Sequence, residues 1–236
     1  MFSALPLSRF RLPALTLIIS ALTLTACNAP PSSTLPLAPE AASGYRTDLQ
    51  TRHASKHMAA AANPLAAEAG REMLRQGGSA IDAAIAMQAV LTLVEPQSSG
   101  IGGGAMIVLW DGKQVRTYDG RETAPAGATE KLFLRPDGKP MSFPQAQIGG
   151  RSVGTPGVLR ALEMAHKQHG RLPWAKLFEP AINLAEQGFA ISPRLHSLLE
   201  SDPVIRNSPD MAAYFLNADG SVKAVGTRLQ NPALAA

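Results

Sequence analysis

Arg121 has the setting of a residue that does chemistry. It lies in Asp119-Gly120-Arg121-Glu122-Thr123-Ala124-Pro125, directly after a candidate strand and a glycine, with acids close on both sides. A guanidinium presents a planar fork of donors, so it grips a carboxylate through two parallel N–H bonds where an ammonium acts as a point charge. An arginine beside acids also forms plain surface ion pairs, and both readings stand open for Arg121. A second candidate is the run Ser98-Ser99-Gly100-Ile101-Gly102-Gly103-Gly104. Gly100-x-Gly102-x-x-Ala105 has the letters of a dinucleotide fingerprint, but that motif needs a strand before it and a helix after it. Here the order is reversed, and no P-loop lysine is present. The glycines then serve close backbone approach or positive φ, either by packing against another segment or by touching a ligand. A nucleophile elbow needs a glycine two residues to each side and a strand before it. Ser98 has Pro96 and Gly100 in those places and a helix before it, so neither Ser98 nor Ser99 fits. The five histidines, His53, His57, His166, His169 and His196, form no HExxH pattern. His166 and His169 suit exposed, dipole-stabilising places at a helix end better than a metal, and no metal site is expected.

The elements that must position these residues are legible from caps and periodicity. Asn63-Pro64 predicts a helix start, with Asn as N-cap and Pro in the first turn. Leu65, Ala69, Met73 and Leu74 fall on one face, and Gly77-Gly78 ends the helix. Ser79 and Asp82 make a capping box for a second helix, apolar nearly all round to Val94 and therefore buried. After the glycine run, residues 105–110 (AMIVLW) read as a strand buried on both faces. Asp111-Gly112 predicts a two-residue hairpin turn, and residues 113–118 alternate as the partner strand. The loop of residues 151–157 opens a helix that runs to about His169 and closes at Gly170. Pro173 starts the next one, with Leu177, Ile182 and Leu184 as core residues and Gly188 as its end. Pro180 must kink or split that stretch.

The N-terminus reads as an export signal. Arg9 and Arg11 precede an uncharged, mostly apolar run over residues 12–26, too short for the ~20 apolar residues of a bilayer span. It ends Leu24-Thr25-Ala26-Cys27, the pattern of a bacterial lipobox, in which Cys27 is the lipidation site; an ordinary cleaved signal with an incidental cysteine is the alternative. Residues 1–26 are thus expected to be a signal peptide. Residues 27–58 follow as a lipidated cysteine and a Pro-, Ala- and Ser-rich tether, with the folded body at 59–236. Cys27 is the only cysteine, so no internal disulfide or cysteine metal cluster forms. The formal charge of +4 falls to +2 once Arg9 and Arg11 leave with the signal, since no acid goes with them. No long basic run is present, and no nucleic-acid partner is expected. With 45% hydrophobic and 17% charged residues the body has an ordinary core. At the other end, Asn231-Pro232 begins a helix five residues before Ala236, which reads as a truncation or as a frayed tail.

Successive blocks of the body resemble the gamma-glutamyltranspeptidases. They are Asn63-Pro64-Leu65-Ala66, Gln76-Gly77-Gly78-Ser79-Ala80-Ile81-Asp82-Ala83-Ala84, Glu95-Pro96-Gln97-Ser98-Ser99-Gly100-Ile101-Gly102-Gly103-Gly104 and Asp119-Gly120-Arg121-Glu122-Thr123-Ala124-Pro125. Gly154-Thr155-Pro156-Gly157, His169-Gly170-Arg171-Leu172-Pro173-Trp174 and Glu179-Pro180-Ala181-Ile182-Asn183-Leu184-Ala185-Glu186-Gln187-Gly188-Phe189 continue the series.

The resemblance implies an α+β fold, the αββα sandwich of N-terminal-nucleophile hydrolases, of which this chain is the large-subunit part. It implies a precursor that cuts itself, so that a new N-terminal threonine on the small subunit attacks a gamma-glutamyl amide such as glutathione, its own amine serving as base. Water or an acceptor amino acid or peptide then takes the acyl group. Arg121 matches the family arginine that holds the substrate alpha-carboxylate. Ser99, Gly100, Gly102, Gly103 and Gly104 match a loop that backs the site without catalytic work. No threonine here has the family's Thr-Thr-His cleavage context, so the chain is expected to lack the nucleophile and to be inactive alone. No cofactor is implied. The small subunit of the same precursor is the expected partner, the periplasm the expected location, and the membrane is reached through Cys27. Two other readings remain: a cephalosporin, glutaryl or poly-gamma-glutamate-acting relative of the same fold, and a non-catalytic surface lipoprotein.

Overall fold

The computed structural model describes residues 51–202 and 204–236; Cys27, the signal and most of the tether lie outside them. Residues 51–58 are exposed, irregular chain. Helix α1 (Pro64–Arg75) starts on Asn63, whose side chain accepts from Leu65 N–H at 3.0 Å. It stops where Gly77, at φ +89°, lets its own N–H return to Leu74 O and that of Gly78 to Met73 O, the Schellman closure. Helix α2 (Ala80–Val94) opens on the Ser79–Asp82 capping box and is the buried centre of the fold, with Ile85, Ala86, Val90 and Val94 almost without solvent contact. It packs on α1, on α4 (Val158–His169) and on a 3-10 turn (Trp174–Phe178) that runs into α5 (Glu179–Gln187).

Pro180 splits this last stretch. It stands in the first turn of α5, where its missing N–H costs no helical bond. Leu177 is fully buried, but Ile182 and Leu184 are only half-buried and Ala185 takes the core position.

Strands β1 (Ala105–Trp110) and β2 (Val115–Gly120) pair antiparallel, with Ile107 opposite Tyr118 and Val108 opposite Thr117. The expectation that β1 is buried on both faces is corrected. Ala105, Ile107 and Leu109 pack against the helical core, but Met106, Val108 and Trp110 are 64%, 73% and 62% exposed. Period-2 geometry puts these two sets on opposite faces, and the described helices cover only one. The turn also moves one residue along. Asp111 N–H donates to Gln114 O, so Gly112 and Lys113 are its central pair and β2 begins at Val115. Tyr118 is buried and its hydroxyl donates to Gln168 Oε1 at 2.9 Å, fastening the hairpin to α4.

The last third adds short helices around a small ladder, β3 (Phe189–Ala190) on β4 (Arg228–Leu229). Between them lie α6 (Pro193–Ser201) and α7 (Pro209–Phe215). The remaining short helix, α3 (Phe143–Gln147), lies in the exposed segment after the hairpin. Asn231 caps α8 (Pro232–Ala235) and its N–H reaches Ala185 O at 2.8 Å, so this helical turn is seated on α5.

Candidate functional site

Three stretches of backbone converge around Arg121. The first is the end of β2, where Asp119 Oδ1 accepts from Arg121 N–H at 3.0 Å and fixes the chain as it leaves the strand. The second is the loop before α4, tied to the first by reciprocal bonds between Thr123 and Thr155 at 3.3 and 2.9 Å. The third is the glycine run. Gly103 O accepts from both Gly157 N–H and Val158 N–H at 3.2 Å, satisfying two donors at the start of α4 that no helical carbonyl reaches.

Within this frame Arg121 pairs with a neighbouring acid and still keeps its guanidinium accessible. Its Nη2 is 3.2 Å from Glu122 Oε2, the neighbouring-acid pair, yet its side chain is 63% exposed. It borders a cleft of about 490 Å³ with Gly102, Glu122, Thr123, Arg151 and Gly154. On its other side is a second cleft of about 330 Å³, which Thr155 and Arg160 also line. An accessible guanidinium at such a border can hold a carboxylate bidentately. Arg151 is a second guanidinium in the larger cleft, held by its bond to Leu132 O at 3.1 Å. Sequence reasoning read Arg151 only as part of a helix-opening loop; its place in a Gly-Gly-Arg-Ser block beside the Gly154 turn was the available signal.

The other sequence candidates fall as follows. Ser99 Oγ accepts from Gln88 Nε2 at 2.8 Å, so this hydroxyl is engaged by α2. None of Gly100, Gly102, Gly103 and Gly104 has positive φ. Gly103 and Gly104 lie against Glu122, whereas Gly100 and Gly102 have open space where a side chain would go. His166 is corrected from an exposed place. Its side chain is 17% exposed, with Nε2 at 2.9 Å from Leu172 O and 3.6 Å from Asp82 Oδ1, and its ring meets Trp174 edge-on at 5.2 Å. His169 is half-buried beside Tyr118, with centroids 6.4 Å apart. Both rings are drawn in because α4 packs that flank on the hairpin and on the turn after Gly170. Among the described residues no group of three or more His, Cys, Asp or Glu is placed to hold a metal ion. What the two clefts present, among the described residues, includes guanidiniums, threonine hydroxyls and the Glu122 carboxylate.

Known proteins resemble this chain in both sequence and structure. The family model for gamma-glutamyltranspeptidase matches residues 66–236. The chain is 48% identical over 153 residues to scoloptoxin SSD14 of Scolopendra dehaani, covering 63% of this chain and 25% of that protein. It is 47% identical over 136 residues to the glutathione hydrolase proenzyme of Bacillus subtilis, covering 57% and 23%. Among solved structures, the gamma-glutamyltranspeptidase of Helicobacter pylori superposes with a TM-score of 0.73 at 30% identity, over 79% of this chain and 54% of that one. A cephalosporin acylase from Bacillus halodurans does so at 0.64 and 29%, over 84% and 37%. The expected α+β fold of the N-terminal-nucleophile hydrolases is thus the fold of this chain. The chain spans about a quarter of the length of these curated relatives.

Proposed function

The chain belongs to the gamma-glutamyltranspeptidase family, and on that premise we propose that it is the large-subunit part of an enzyme that hydrolyses and transfers gamma-glutamyl groups. Arg121 holds the alpha-carboxylate of the glutamyl moiety of glutathione or a related amide. A small subunit supplies the N-terminal threonine. Its hydroxyl adds to the gamma-amide carbon, the amine half leaves with a proton, and the resulting gamma-glutamyl ester passes to water or to an acceptor amino acid or peptide. The observation that carries this reading is the exposed Arg121 guanidinium at the border of the two clefts, in a chain whose relatives include a glutathione hydrolase.

The test is Arg121→Ala in the enzyme assembled with its nucleophile-bearing segment, with hydrolysis of a gamma-glutamyl anilide as readout. Losing a charge-assisted bidentate pair is expected to lower kcat/KM by about 30- to 1000-fold, equivalent to ~2–4 kcal/mol. An unchanged kcat/KM removes Arg121 from substrate binding.

The likeness to a cephalosporin acylase supports a second reading, an acylase for glutaryl-type amides. An arginine clamp serves a glutaryl carboxylate equally well. Turnover of glutathione against a glutaryl amide lacking the alpha-amine separates the two. For location, the signal at 1–26, Cys27 and the tether to residue 58 support export and lipid anchoring facing the periplasm, and Asn28 after the cysteine favours the outer membrane.

A further inference from the structure

We infer that Gly104 and Gly154 form a slot that positions Arg121, acting through the Glu122 side chain and the backbone on either side of it. The inference rests on the reading of Arg121 as the carboxylate-binding residue and names what holds it in place.

The slot is defined by what has no room. A Cβ placed on Gly104 would stand 2.5 Å from Glu122 Oε2 and 2.8 Å from both Arg121 Cα and Gly120 O. One placed on Gly154 would stand 2.8 Å from Glu122 Cβ and 3.1 Å from Thr123 O. Real side chains do not approach backbone atoms so closely, and these backbone atoms are tied on one side by the Asp119–Arg121 turn and on the other by the Thr123–Thr155 bridge. The φ angles of Gly104 and Gly154 are not positive, so the requirement is space rather than conformation. The contrast within the run is sharp: Gly102 meets nothing within 4 Å.

What fills the slot is a carboxylate. Glu122 Oε2 is shut off from solvent and accepts no hydrogen bond among the described residues. The charge facing it is the Arg121 guanidinium at 3.2 Å. A buried carboxylate oxygen without a donor is costly unless a countercharge is close, so Glu122 and Arg121 constrain each other. An exposed arginine otherwise has many rotamers to lose when it binds. A neighbour held in a rigid slot removes part of that loss before substrate arrives. The slot turns a flexible cation into a pre-aimed one.

The test is a set of double-mutant cycles in the assembled enzyme, with a gamma-glutamyl anilide as substrate. Gly104→Ala is expected to raise KM about 10- to 100-fold with a much smaller change in kcat, the scale of a misplacement of order 1 Å. Combined with Arg121→Ala it should cost nothing further, because both changes remove the same contact. Glu122→Gln keeps the slot filled with atoms of the same size and removes the countercharge. It should raise KM while leaving the thermal midpoint unchanged, and it too should add nothing to Arg121→Ala. Gly127→Ala, at a glycine outside both clefts with nothing within 4 Å of an added Cβ, is the control and should leave KM as it is.

A purely architectural role for the slot predicts the opposite: losses that multiply with Arg121→Ala. Multiplying losses overturn the inference. If Gly104→Ala does not fold, the Glu122→Gln cycle decides alone, with additivity overturning the inference and its absence supporting it. If Arg121→Ala itself has no effect, the carboxylate-binding reading fails; if Arg121→Ala matters but the cycles are additive, only the slot fails.

Discussion

Arg194 Nε donates to Glu95 Oε2 at 3.1 Å across 99 positions of sequence. The Glu95 carboxylate is almost without solvent contact, and it also accepts from Asn63 Nδ2 at 3.0 Å and Gln97 Nε2 at 2.6 Å. One buried anion thus joins the start of α1, the end of α2, the approach to the glycine run and α6. Removing one member of a buried pair strands the other, so Glu95→Ala is expected to destabilise the fold by about 3–5 kcal/mol. Urea unfolding measures it, and a loss under ~1 kcal/mol contradicts the role assigned to Glu95.

Asp82 makes a comparable junction with backbone partners. Its Oδ2 accepts from Ser79 N–H at 2.7 Å, Arg171 N–H at 2.9 Å and Leu172 N–H at 3.2 Å. Asp82→Ala removes the cap and leaves the N–H groups of Arg171 and Leu172 without their acceptor, with an expected loss of about 3 kcal/mol or more. Asp82→Asn keeps a carbonyl oxygen and should lose distinctly less. Equal damage from both variants in the same unfolding assay refutes this account of the residue.

The hairpin turn carries a pH signature. Asp111 accepts from Gln114 N–H, then from Arg116 Nε and Lys113 N–H, and these lower its pKa from the usual 3.8 to about 2. A carboxyl depressed on folding favours the folded turn above its unfolded pKa and loses that contribution as pH falls through the folded value. The window therefore runs from about 3.8 down to about 2. A carboxyl-detected NMR titration should find the Asp111 midpoint near 2, and Arg116→Ala should raise it only partway, because the Gln114 N–H is the larger cause. A midpoint near the ordinary ~3.9 removes the turn from the explanation.

Anchoring is tested at Cys27. Cys27→Ser should move the protein from the membrane to the soluble fraction, since stable attachment depends on acyl chains. Mass spectrometry of the mature wild-type protein should find those chains on an N-terminal cysteine. A mature N-terminus beyond residue 27, or an unmodified cysteine, leaves an ordinary cleaved signal.

What was legible in the sequence followed local chemistry. Asn63-Pro64, Ser79 with Asp82, and the break at Pro180 each act within a few residues, and the corresponding elements stand where those signals put them. Strand β1 misled because Met106, Val108 and Trp110 are as apolar as the residues between them. Composition cannot say which face of an apolar strand receives a cover. His166 misled for a related reason: its helical position suggested the surface, while the partners that enclose it, Leu172 and Trp174, belong to the following turn. Glu95 with Arg194 and Gly104 with Glu122 are long-range pairings without any spacing rule. The stretch after Gly188 carries its own helix starts at Ser192-Pro193 and Ser208-Pro209, but its two-residue strands are too short for any alternation to show.

The outer face of the hairpin sets a clock on the chain. Met106, Val108, Trp110 and Val115 stand together in solvent on a two-stranded ribbon, and an apolar patch of that kind attracts whatever apolar surface reaches it first. Folding on dilution then becomes a race between encounters. On the proposal that a small subunit of the same precursor covers this face, one encounter is intramolecular and its rate is fixed by tethering. The other is with a second copy, whose rate climbs with concentration. The yield of soluble protein should fall as expression rises, even where every element inside the chain has formed correctly.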